Sequence, residues 1–173
     1  MILDGYWKKE LKHNIRKLKL CLKFSFAFSK FVEHQVSKTI LYSAVIVRKM
    51  FEDEKGAETV CKKSDVSIPP LKILKYKVKV IVYPFLGDND FIAERVVPEN
   101  YNCNNTAEKE IELNTLCNQI IHSFVWSVAY EQKTHRLIGV LFASDKAKGN
   151  VLYLLELQEF IKAMQFCIAN GNI

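Results

Sequence analysis

Apolar residues recur every third and fourth position through the first third of this chain and then at every second position, a switch that calls for helices and strands packed together. Trp7, Leu11, Ile15, Leu18 and Leu22 draw one stripe, and the spacing predicts a helix over 4–23 with Asp4 as its cap. Val32, Val36, Ile40, Ala44, Val47 and Phe51 draw a second stripe, predicting a helix over 29–55 that opens at Ser29 and stops at Gly56. Residues 56–70, ending in Pro69-Pro70, read as a loop. Beyond it Tyr76, Val78, Val80 and Val82 alternate with Lys75, Lys77 and Lys79, the pattern of an edge-type strand or an extended arm over 72–83.

Turn residues then crowd residues 84–104 until Asn105 and Glu108 resemble a helix start. Ile111, Leu113, Leu116, Ile120 and Ile121 carry that helix over 106–123. Three runs of strand character follow, over 124–131, 136–143 and 150–154, with turns at Lys133-Thr134-His135 and across 144–149. A last helix over 155–169 ends at Asn170-Gly171. The expected fold is mainly α (α+β): one domain over 1–173, an antiparallel helical bundle with a small antiparallel β-meander before the last helix. With 173 residues, 49% of them hydrophobic, the chain can bury a sizeable core.

Several function classes are disfavoured at this level. The five cysteines are dispersed, with no C-x-x-C pair, which argues against a disulfide framework or a zinc knuckle. None of the four histidines pairs with another at helical spacing, so no metal and no cofactor is expected. The P-loop, G-x-G-x-x-G, H-E-x-x-H and G-x-S-x-G motifs are absent. The most apolar early stretch, Leu20 to Val32, is broken by Lys23 and Lys30, so the expectation is no membrane span and a reducing, cytoplasmic setting.

Charge is unevenly placed. Lys8, Lys9, Lys12, Arg16, Lys17, Lys19 and Lys23 face only Asp4 and Glu10 on the first helix, which therefore holds most of the net charge of +6. Such a face suits RNA or an acidic protein partner, or it is a solvated helix surface. Chemistry concentrates elsewhere, in Leu116-Cys117-Asn118-Gln119-Ile120-Ile121-His122-Ser123, where polar residues interrupt an apolar helix end. Asn118 and His122 are four apart and share one helix face, so they either act together on a ligand or satisfy each other as a polar peg in the core. Ser123 beside His122 and a thiol at Cys117 are weaker nucleophile candidates. Phe124, Trp126 and Tyr130 form either a packed sheet face or a platform for stacking bases.

Cys117-Asn118-x-x-x-His122 resembles the R-N-x-x-x-H signature of the HEPN superfamily, whose helical domains include metal-independent ribonucleases. Leu41 to Glu52 is similar to the long second helix of prokaryotic members of unassigned function. The resemblance implies a HEPN-like, dimeric protein of RNA-directed defence or toxin systems, with His122 as acid/base and Asn118 as its polar neighbour. It departs from the pattern at Cys117, which stands where the family has Arg and so lacks the cation that steadies phosphorane charge. Arg48 and Lys49 on the second helix are candidate replacements, with Lys12, Arg16 and Lys19 as further RNA contacts. The alternative is a non-catalytic adaptor domain that docks an acidic protein through its basic first helix.

Overall fold

The computed structural model describes residues 4–23, 29–63, 72–87, 100–147 and 149–171. Along them run helices α1 (Asp4–Lys23) and α2 (Lys30–Lys63), strands β1 (Lys77–Pro84) and β2 (Ala107–Glu112), helix α3 (Leu113–Ile121), strands β3 (Ser123–Tyr130), β4 (Leu137–Ser144) and β5 (Val151–Glu156), and helix α4 (Leu157–Asn170). All five strands join one antiparallel sheet in the order β2-β1-β5-β4-β3. This overturns the expected helical bundle with a minor meander: the fold is α+β, built on the sheet.

The correction has two local causes. Residues 107–112, expected as the first turns of a helix over 106–123, form β2 instead, because Lys77 pairs with Glu112 and Lys79 with Glu110 across the β1–β2 ladder. Opposite charges at facing positions stabilise a strand pair and outweigh the helical propensity of Glu, Lys and Ala. The same pairing makes β1 an interior strand, although its alternating lysines read as an edge. Its second neighbour is β5, reached through Ile81–Leu154, Val82–Tyr153 and Tyr83–Leu152. The lysine-free end of β1 thus meets the most apolar strand.

A further difference lies in α2, which continues through Gly56 to Lys63 rather than stopping near residue 55. An interior helical glycine costs about 1 kcal/mol relative to alanine. Here the Thr59 hydroxyl donates to the Lys55 carbonyl at 2.9 Å, spanning the weak point. The rest of the expected 56–70 loop, and most of the turn-rich 84–104 segment, lie outside the described residues.

Helices cover one sheet face. From it Val80, Val140, Phe142, Tyr153 and Leu155 enter the core, while Trp126 on β3 reaches α2, its indole N–H donating to the Ser37 hydroxyl at 2.8 Å. Each fully buried Phe or Leu contributes roughly 2–3 kcal/mol by leaving water. α3 and α4 lie directly on the sheet, close enough that the thiols of Cys117 and Cys167 sense each other. α2 packs on α3, α1 packs on α4, and the two long helices pack together. A buried polar chain ties them: Asn14 donates to the Ser43 hydroxyl at 3.0 Å, which donates to the Thr39 carbonyl at 2.7 Å. Among the described residues no helix is long and apolar enough to cross a membrane.

Candidate functional site

Helix α3 buries Leu113, Leu116, Cys117 and Ile120, the three-and-four spacing of a helix lying on a sheet. That choice turns Asn118 and Gln119 to the flank. His122 ends the helix at φ −101° and ψ 27°, its N–H bonding back to the Asn118 carbonyl at 3.1 Å. The chain then turns directly into β3. From the other side the β4–β5 turn is fastened to this junction, the Asp145 N–H donating to the His122 carbonyl at 3.2 Å. Ser123 also pairs with Ser144 across β3 and β4.

These ties shape a cleft of about 330 Å³ lined by Asn118, Gln119, His122, Ser144, Asp145 and Lys146. The sequence motif and a turn some twenty residues away therefore make one site. Asn118 is half-buried and His122 exposed, and among the described residues no hydrogen bond joins the two side chains. The polar-peg alternative does not describe them. Gln119 carries the most informative atom: its side-chain oxygen is buried and has no hydrogen-bond donor. A buried acceptor left unpaired costs about 1–3 kcal/mol, and a ligand that brings an N–H or O–H removes that cost when the amide swings toward it. Imidazole, ammonium, a carboxylate, a hydroxyl and two amides thus line a place where a donor is missing.

The other expected site residues lie elsewhere. Cys117 is fully buried beneath α3, and burial, then the neighbouring Cys167 charge, pushes its thiol far above the ordinary range. It fills core volume and offers neither a nucleophile nor a replacement for the motif's Arg. Arg48 pairs with Glu52 at 3.2 Å and Lys49 with Asp53 at 3.2 Å, along the exposed side of α2. The Asp53 carboxylate, accepting a hydrogen bond from Lys49, raises the pKa of that ammonium. Neither cation lines the cleft. Lys12, Arg16 and Lys19 are exposed on α1, which packs against α2 and α4 rather than α3. Lys8 is structural, donating to the Gly171 carbonyl at 2.8 Å.

Ser123 opens away from His122, into a separate groove against α2, so the two do not form a dyad. Trp126 is half-buried, 6.2 Å from Phe142 between ring centroids, and lines that same groove. Among the described residues no cluster of three or more His, Cys, Asp or Glu could hold a metal ion. Read locally, Asp145 and Lys146 are turn residues first. The predicted meander held the signal that would have found them, since antiparallel pairing of its first two strands sets residue 144 beside residue 123.

No protein-family model matches this chain, and no curated protein or solved structure is significantly similar to it.

Proposed function

We propose that this protein binds single-stranded RNA, seating one nucleotide in the cleft beside His122. The observation that carries the reading is the unpaired, buried Gln119 oxygen in a cleft that also presents His122 and Lys146. A nucleotide brings both complements at once: amino or hydroxyl donors for Gln119 and Asn118, and a phosphate for the two basic groups. At about 330 Å³ the space is at the small end of ligand sites.

The kinship with HEPN ribonucleases that Cys117 to His122 suggests is carried here as binding without cleavage. The cleft sets only the flexible ammonium of Lys146 beside the imidazole and no guanidinium fork, because the motif's Arg position is Cys117 in the core. Anisotropy of labelled RNA at low salt tests the reading. His122→Ala, at an exposed position, should leave stability within about 0.5 kcal/mol while weakening RNA. Gln119→Leu should hold or raise the melting temperature yet lower affinity by about ten-fold, because it removes an acceptor that only the ligand satisfies. Binding indifferent to both changes would remove the cleft from consideration. Cleavage in EDTA to 2′,3′-cyclic phosphate ends, lost in His122→Ala, would instead make the cleft a catalytic centre.

A second reading rests on α1, where Lys9, Lys12, Arg16, Lys17 and Lys19 are exposed together with Leu20. An acidic protein docked there makes the chain an adaptor. Lys12→Glu, Arg16→Glu and Lys19→Glu combined, sparing the structural Lys8, then abolish capture of that partner. The same triple variant should leave RNA affinity within about two-fold at physiological salt, since the screening length is about 8 Å.

A further inference from the structure

On the far side of the α3–β3 junction from His122 lies a second opening, about 390 Å³, lined by His34, Ser37, Lys38, Leu41, Ser123 and Trp126. α2 forms one wall and β3 the other. His34 and Lys38 are four apart on α2, so both stand on the same side of the helix, exposed at the rim. Leu41, one turn further on, is 45% exposed, and the Trp126 indole is held in place by Ser37. No carboxylate is among the residues lining this groove. Its chemistry is a flat aromatic surface and an aliphatic contact under two basic groups, which suits a planar ring that carries an anion.

The position decides between possible rings. Ser123 lines this groove and His122, its neighbour in the chain, lines the cleft, so the two openings flank one short stretch of backbone. We infer that the groove is the subsite for a further nucleotide of the same strand, its base stacked on Trp126 against Leu41 and its phosphate between His34 and Lys38. This rests on the RNA reading of the His122 cleft and extends it from one nucleotide to at least two. Stacking on an aromatic side chain tolerates any base, so the subsite adds affinity without sequence preference.

The chain has two tryptophans, Trp7 and Trp126, and Trp7→Phe leaves Trp126 as the sole indole reporter. A short end-labelled single-stranded RNA is titrated into this variant, with label anisotropy and Trp126 emission read in parallel. Emission should fall in step with the anisotropy rise, as a base covers the ring. Trp126→Leu, which keeps an apolar side chain, should weaken the RNA by about ten-fold, and Lys38→Glu should weaken it as well. Both should leave uridine monophosphate at the His122 cleft unaffected. A rise in anisotropy with unchanged Trp126 emission overturns the stacking subsite while the RNA reading stands. If neither signal moves, the RNA reading fails and the subsite with it. Quenching by an aliphatic carboxylate such as decanoate, with none by RNA, reassigns the groove to an apolar acid.

Discussion

Gly139→Ala should lower the free energy of unfolding by about 3 kcal/mol or prevent folding altogether, read as a lost or shifted urea transition. A Cβ built at Gly139 would sit 2.2 Å from the Leu155 carbonyl oxygen, 2.9 Å from its carbon and 3.1 Å from the Glu156 Cα. All three are backbone atoms, so no side chain can swing aside to make room. The clash falls where the sheet is least able to give. Gly139 pairs with Ala129 on β3 and Glu156 on β5, and Val140 beside it pairs with Leu155. Moving β5 off β4 would also shift the start of α4 at Leu157, which is buried. Gly56→Ala is the matched control: its Cβ would meet nothing within 4 Å, and it should stabilise α2 by about 0.5–1 kcal/mol. Equal effects at the two positions would show that close backbone approach is not what Gly139 provides.

The two glycines also illustrate what was legible in the sequence. Gly56 looked like a helix stop because glycine favours that position, yet nothing local forced the stop, and α2 continued. Gly139 gave no signal at all, since its role depends on β5, which follows it by a turn and a register. Periodicity reads the face of one element well, and the stripes at Leu11, Ile15 and Leu18 or at Val36, Ile40 and Val47 are buried as their spacing requires. Pairing partners are a different kind of information. The β1–β5 ladder joins residues some seventy positions apart, and no local pattern states that Tyr83 will face Leu152. β2 was misread for a related reason: its Glu and Lys residues are helix formers, and only the facing lysines of β1 make them a strand.

The site followed the same division. Asn118 and His122 could be grouped from their spacing, and they do line one cleft. Gln119 lay within the same polar stretch, but its unpaired oxygen is a product of packing and not of sequence. Arg48 and Lys49 were offered to the phosphate although Glu52 and Asp53 stand three to five residues on, within reach on the same helix. Exposed pairs of that spacing are weak, but they occupy the cations in the free protein. Glu52 and Asp53 stand side by side in the sequence, directly after Phe51. Reading them as the partners of the preceding cations would have kept those cations out of the site.

Stability should fall steeply as the solution is made alkaline, and two core thiols account for much of the loss. Cys117 and Cys167 are both fully buried, and burial raises each above its ordinary value of 9.0, Cys167 to about 12 and Cys117 beyond that. In the unfolded chain both thiols ionise near the ordinary value, whereas in the folded protein they hold their protons. A folded-state pKa above the unfolded one means the stabilisation is complete below about 9 and is withdrawn as pH climbs toward the folded value. Each thiol withdraws on the order of 1 kcal/mol per pH unit in that window. Tyr83, Tyr101 and Tyr130, raised chiefly by burial, act in the same direction above their ordinary 10.0. Urea midpoints from neutral to alkaline pH should therefore fall more gently in a Cys117→Ala, Cys167→Ala variant than in the parent. An identical alkaline slope in the two proteins would assign the loss to the tyrosines. The same burial bears on function, because a thiol that stays protonated and covered cannot attack a ligand. Alkylation of the native protein should then mark exposed Cys103 and spare Cys117, leaving the chemistry of the motif to Asn118, Gln119 and His122.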